Sequence, residues 1–293
     1  MRVRVLLSFH YHRDTDVAAL SRKLPPGSEI FADSGAYSAA SIGAQVKLAD
    51  YKAWLGEHRR FITTAATLDV IGDPEATQRN TVKLNADGLK VIPVFHTGSG
   101  FDRLEKLCQE YPYIALGGMV PFGNQVSTLG RWLIRCFKIG EQYGTRFHGF
   151  GQTSPQLLSA LPFYSVDSST WSAGVRFGEA RLWNPSTRRF RVVLCGRPVR
   201  SPTDRQLLTA HGISTHLIGA VGFAQAKRRT PEQFKLERAM LKRAGMVAHM
   251  KMGEAMAVRH KVTPPEGWRT KGTVLYLAVF PDDVPAAISA GEL

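Results

Sequence analysis

At 293 residues, 44% of them hydrophobic, the chain is long enough to bury the core of one large α/β domain, and its composition excludes a disordered polymer. The formal charge of +14 and a pI near 10.0 point to a polyanionic partner, nucleic acid first. No run approaches the eighteen apolar residues of a membrane span, and the opening MRVRVLLSFHYHRD is too short in its apolar part for a secretory signal, which predicts a cytoplasmic protein.

In chain order, residues 3–9 predict a first strand and 16–24 a short helix closed by Pro25-Pro26-Gly27. A second strand over 29–32 delivers Asp33. Leu48, Tyr51, Leu55 and His58, spaced by three and four, predict a helix over 46–60, and 61–68 a strand delivering Asp69. Asp73-Pro74-Glu75 opens the next helix, Asp as cap and Pro at the first helical position. Strands follow at 91–95, 113–116, 146–148 and up to Asp167, separated by helices at 101–110, 129–143 and 155–160. Beyond Asp167 the pattern loosens: 189–195, 215–221 and 273–280 are each candidate strands for the last position. Thr230, Pro231 and Gln233 form a capping box that starts a long helix running towards Lys261, with Gly245 and Gly253 as candidate breaks and five methionines as packing residues.

Strands alternating with helices at intervals of about 20 to 35 residues predict βα units and a parallel sheet. Six or seven such units without an early GxGxxG favour a (β/α)8 TIM barrel over an open sheet. We therefore expect a single barrel domain over 1–293, with a basic, largely helical C-terminal part from about residue 176. Residues 1–175 carry 18 Lys and Arg against 15 Asp and Glu, whereas 176–293 carry 20 against 9, so the basic face belongs to the second part. Cys108, Cys136 and Cys195 are too far apart in sequence for a CxxC pair or a disulfide framework, which predicts reduced thiols.

Six apolar runs stop on polar or glycine residues: FADSGAYS, ATLDVIGDP, VIPVFHTG, YIALGG, RFHGFG and YSVDSSTW. In a barrel these stops share one mouth, where such folds place their chemistry. Asp33 and Asp167 supply two carboxylates, the minimum for displacement at a sugar carbon, one attacking while the other manages protons. An ordinary aspartate, with a pKa near 3.9, is ionised at neutral pH and attacks without an activating base. Asp69 suits recognition of a guanine-type base, whose ring N1–H and exocyclic amine both donate. Gly117 and Gly118 admit a flat ligand close to the backbone, and Tyr37 and His148 offer rings for its two faces.

These residues resemble a known family. Asp33-Ser34-Gly35-Ala36-Tyr37 resembles the DSGG-aromatic motif of the tRNA-guanine transglycosylases, Leu116-Gly117-Gly118-Met119 their IGGL motif, His148-Gly149-Phe150-Gly151 their MGVG motif, and Val166-Asp167-Ser168 the segment around their nucleophile. The resemblance covers about residues 29 to 171. It implies a base exchange in which Asp167 attacks C1′, expels guanine and leaves a covalent sugar ester that an incoming 7-deazaguanine displaces, with Asp33 as general acid/base and Asp69 reading the base. It also implies that His96 stands where the family has a base-contacting glutamine, and His148 where it has a methionine. The family's CxCxxC-and-His zinc site and its LPTR segment have no counterpart here, so no cofactor is expected and the tRNA-docking part is missing. The chain is therefore more similar to the DNA-modifying branch, the phage and bacterial enzymes that insert 7-deazaguanines such as preQ0, with tRNA as the alternative substrate.

A duplex target would have to be flipped into the mouth. Arg188, Arg189, Arg191, Arg197, Arg200, Lys227, Arg228 and Arg229 are the expected phosphate contacts, with Trp171 and Trp183 as candidate stacking surfaces. Two other classes remain open at this point. His10 and His12, at i and i+2 on a strand end, project to one side like two zinc ligands of a metal-dependent amidohydrolase, with His96, His148 and Asp167 to complete the sphere. A barrel that binds nucleic acid without catalysis is the third, and the retained carboxylate pair counts against it.

Overall fold

Runs that are apolar on both faces fold as parallel strands when helices cover one side and a barrel interior fills the other. The computed structural model describes residues 2–122, 125–215, 218 and 230–292. Its strands are β1 (Arg4–Ser8), β2 (Glu29–Asp33), β3 (Thr64–Ala65), β4 (Val94–His96), β5 (Tyr113–Gly117), β6 (Arg146–Gly149), β7 (Ser165–Ser168), β8 (Glu179–Asn184), β9 (Arg189–Leu194) and β10 (Val274–Ala278). The helices are α1 (Phe9–His12), α2 (Val17–Lys23), α3 (Ala36–Ser41), α4 (Leu48–His58), α5 (Pro74–Ala86), α6 (Phe101–Glu110), α7 (Val126–Tyr143), α8 (Pro155–Ala160), α9 (Ala173–Phe177), α10 (Pro202–Ala210), α11 (Pro231–His260) and α12 (Val284–Gly291).

Eight strands form one parallel sheet in the order β3-β2-β1-β10-β7-β6-β5-β4. A parallel bridge between Ala66 and Ile92 joins its two ends: Thr67 N–H donates to the Ile92 carbonyl at 3.0 Å, and Ile92 N–H to that of Ala65 at 2.8 Å. The sheet thus closes into a (β/α)8 barrel whose last strand is β10, from the third of the three candidate segments. The first candidate, 189–195, is instead half of an antiparallel hairpin, β8–β9, outside the barrel. Most of the second, 215–221, lies outside the described residues, as do Lys227, Arg228 and Arg229.

Two apolar layers follow from strand alternation. Leu6, Phe31, Ala115, Val274 and Tyr276 fill the barrel, while Val5, Ile30, Ile114, Val166 and Leu275 meet the helices outside. The hairpin builds a separate small core with α9, α10 and the first half of α11, in which Leu182, Val193, Leu208 and Leu241 meet.

Helix α11 is unbroken over 30 residues, about 45 Å at the α-helical rise, so Gly245 and Gly253 do not interrupt it. A Cβ on Gly245 would overlap the Trp171 carbonyl, and one on Gly253 would stand 2.8 Å from Leu275 Cβ. Both glycines let the helix lie close against the barrel. Its second half packs Met246, Met250, Met252 and Met256 into the outer layer, and its first half carries the hairpin at the end where β7 stops. Among the described residues no helix is long and apolar enough to cross a membrane.

Candidate active site

The C-terminal strand ends bring the three expected carboxylates together. In β2 the side chains of Phe31 and Asp33 point inward, and in β7 those of Ser165 and Asp167 do, so each acid tops its strand inside the mouth. Asp33 Oδ2 accepts from Gly35 N–H at 2.9 Å, across a turn that Gly35 makes at φ +73°. Burial first, then the charge of Asp69, and more weakly that of Asp167, push the Asp33 carboxyl up from 3.8 to about 7, against the pull of the Gly35 and Ser34 N–H groups. A group poised there exchanges protons in both directions at neutral pH.

Asp167 is buried, and its Oδ1 accepts from Gly151 N–H at 2.8 Å. The same oxygen lies 3.3 Å from His148 Nε2. Asp69 sits just beyond β3 on a loop held by α5, whose Asn80 donates to the Leu68 carbonyl at 3.0 Å and whose Thr77 accepts from Val70 N–H at 2.9 Å. Asp69 Oδ2 pairs with His96 Nε2 at 3.1 Å, while Oδ1 is buried and has no partner. An orphaned carboxylate oxygen facing a mouth is an acceptor that awaits a donor. For His96, burial lowers the imidazole, but the hydrogen bond and charge of Asp69 outweigh it and raise it above its ordinary value.

Gly117 and Gly118 lie beside this pair. A Cβ on Gly117 would stand 2.8 Å from His96 Cδ2, and Gly118, at φ +71°, has its carbonyl held by Thr97 Oγ1 at 2.7 Å. Tyr37, in the first turn of α3 above Asp33, is 58% exposed and keeps a free ring face.

Other expected base contacts lie away from the opening. His148 is fully buried, its ring stacked on Phe31 at 4.5 Å and edge-on to Phe150 at 4.7 Å, so neither face is offered to a ligand. Gly149 faces outward, where a Cβ would stand 2.7 Å from Phe163. Met119 packs in the outer layer beside Gln152, and the buried Ser34 accepts from Ala36 N–H at 3.4 Å. Trp171 and Trp183 are both buried, Trp171 donating to the Ala278 carbonyl at 3.0 Å, so neither is a stacking surface.

The zinc-ligand geometry expected of His10 and His12 does not form. β1 ends at Ser8, and both histidines lie on α1, where i and i+2 do not share a face. His12 is buried with Nδ1 on Thr15 Oγ1 at 3.1 Å and Nε2 on the Val279 carbonyl at 2.8 Å. Among the described residues no group of three His, Cys, Asp or Glu side chains is placed to hold a metal. The three cysteines are buried and form no disulfide.

Of the basic candidates, Arg188, Arg189, Arg191, Arg197 and Arg200 are exposed on the hairpin and the loop after it. Arg191 is committed to Asp204 by bonds of 2.8 and 3.1 Å. A cavity of about 430 Å³ at the opposite end of the barrel, between Thr64, Pro112 and Trp268, lies at strand N-termini, the face that stabilises such folds.

Gly151, known from the sequence only as the end of a motif, holds Asp167 through its N–H, and two residues with no signal of their own in the sequence, Ser165 and Tyr113, lie beneath it. Ser165 was within reach of pattern reasoning, since two positions before an inward aspartate on a strand is the same face.

No protein-family model matches the chain, and no curated protein does. A solved structure, the xylose isomerase domain protein from Planctomyces limnophilus, aligns over 99% of this chain and 95% of its own with a TM-score of 0.33 and 13% identity. That likeness is too slight to carry any functional argument, and the barrel rests on its own strand order.

Proposed function

We propose that the chain is a base-exchanging transglycosylase that replaces guanine in DNA with a 7-deazaguanine such as preQ0. The observation that supports this most is the pairing of Asp167, held by one oxygen, with Asp33, an acid of pKa about 7 that feels the Asp167 charge across the mouth. Asp167 Oδ2 attacks C1′ of the flipped nucleotide as the C1′–N9 bond breaks; the bonding pair leaves with the purine, and the Asp33 carboxyl gives it a proton. The incoming base then loses its N9 proton to the Asp33 carboxylate and attacks C1′, and the ester C–O pair returns to Asp167. Two inversions restore the configuration. Asp69, together with whichever of Asp33 and Asp167 is a carboxylate in a given step, also favours the cationic sugar of its transition state. The free Asp69 oxygen, the Gly117-Gly118 backbone and the exposed Tyr37 ring suit a guanine-type base, and the hairpin arginines suit the phosphates around it.

The test supplies DNA and tRNA separately with preQ0 or labelled guanine, digests each polymer and seeks the exchanged nucleoside by mass spectrometry. Exchange into DNA that disappears in Asp167→Asn supports the proposal. Exchange into tRNA alone overturns the choice of polymer, and exchange into neither overturns the reaction.

A further inference from the structure

The resemblance that names Asp167 leaves unexplained what a fully buried histidine does beneath it. His148 Nδ1 lies 2.5 Å from Ser165 Oγ, and Ser165 Oγ lies 2.5 Å from the Tyr113 hydroxyl, so four side chains from β5, β6 and β7 form one file that ends at the nucleophile. His148 Nε2 is buried, makes no hydrogen bond, and stands 3.3 Å from Asp167 Oδ1, close but off the line of a well-formed bond.

The file can be protonated sensibly in one direction. Burial raises the Tyr113 phenol well above its ordinary range, so it keeps its proton, and Ser165 Oγ is the acceptor within reach. The phenol therefore donates to Ser165 Oγ, the Ser165 proton goes to His148 Nδ1, and the imidazole proton is left on Nε2, facing Asp167. In the reverse tautomer Nδ1–H and the phenol would both turn to Ser165 Oγ, leaving either the phenol or the Ser165 proton without a partner in the file and setting the Nε2 lone pair against a carboxylate.

Resting on the base-exchange reading, we propose that His148, fixed as its Nε2–H tautomer by Ser165 and Tyr113, is a positioning residue for Asp167. With Gly151 N–H it holds Oδ1, leaving Oδ2 to bond to C1′. In the ester, Oδ1 is the carbonyl oxygen and carries little charge. When the incoming base displaces the ester, the C1′–Oδ2 pair returns to the carboxylate, and the Nε2–H bond to Oδ1 tightens as that charge reappears. Catalytic hydrogen bonds of this kind are often poorly aligned before substrate binds. The relay therefore assists departure of Asp167 more than its attack.

The tautomer is read directly by ring 15N chemical shifts of histidine-labelled protein, with the His148 signals identified by their loss in His148→Gln. The expected pattern is Nε2–H; an Nδ1–H ring or an imidazolium overturns the proposal. The second readout isolates the covalent adduct on DNA and chases it with free guanine. His148→Phe, which keeps a ring on Phe31 but removes the donor, is expected to slow release at least about tenfold. His148→Gln, whose amide nitrogen reaches the Nε2 position, is expected to recover most of that loss. Release at the wild-type rate in His148→Phe overturns the relay alone. Absence of any adduct from wild-type protein on DNA and tRNA overturns the base-exchange reading, and the relay's role with it.

Discussion

Replacing Asp33 by asparagine should make the protein more stable, by a margin that opens above pH 4 and is full above neutral pH. In the folded chain the Asp33 carboxyl is raised from 3.8 to about 7, so between those values the native state holds a proton that the unfolded chain has released. Stability falls with rising pH wherever the native state binds more protons, at about 1.4 kcal/mol per pH unit. Over that interval the loss reaches up to about 4 kcal/mol, is complete above pH 7, and is absent near pH 4. Asparagine keeps an acceptor for Gly35 N–H and turns an amide donor towards the mouth that Asp69 and Asp167 share, so it removes the repulsion without opening a cavity. Urea titrations of both proteins at steps from pH 4 to pH 8.5, followed by far-ultraviolet circular dichroism, give the difference directly, since other titrating groups cancel. Near-equal midpoints at pH 4 that separate progressively, with the variant ahead at pH 8 and the m-value unchanged, are expected. A difference that is flat with pH, or a variant that is weaker at pH 8, would refute the claim that the mouth confines three acids.

Under the proposed base exchange the same carboxyl would set the pH response of each half-reaction: adduct formation should decline as pH rises through about 7, because Asp33 must carry a proton, while adduct release should rise through the same range. Single-turnover gels at fixed DNA excess separate the two limbs, and parallel profiles would sink the assignment. Asp69→Asn should reduce guanine exchange about ten- to a hundredfold, by exchanging an acceptor for a donor, and should shift both limbs to lower pH by removing the charge that raises Asp33. Gly245→Ala should destabilise the fold by about 1–3 kcal/mol in urea despite alanine's better helix propensity, because its Cβ would meet the backbone carbonyl of Trp171.

The choice of closing strand shows what was readable and how. VLYLA in β10 is buried at four of its five positions, and RFRVVL in β9 at only one of six. A barrel strand is covered on both faces and reads as a continuous apolar run, whereas a hairpin strand keeps a wet face and shows charges in alternation. Arg189 and Arg191 carry that alternation, although the sequence left 189–195 among the candidates for the barrel. Its partner β8 was harder to see: the fully buried Trp183 follows the buried Leu182 and breaks the alternation, because Leu182 faces the small core while Trp183, edge-on to Phe190, joins the main one.

At the site, the acids were legible because a residue at the end of an inward-facing register can only stand at the mouth. Depth was not legible. His148 is paired across the sheet with Ala115 and Ser165, whereas Asp167 is paired with Tyr276, so the histidine lies one inward layer below the aspartate, about 7 Å at the rise of a strand. A motif aligned by order along the chain places both residues at the ligand; the register separates them. A methionine in that layer has nothing to donate, whereas an imidazole there needs a partner on each nitrogen, and Ser165 and Asp167 stand where those partners must be. One of the positions where this chain departs from the motifs it resembles is thus the one that, under the proposed base exchange, ties Asp167 to the barrel interior, and a substitution there should alter how the proposed ester breaks before it alters what the mouth binds.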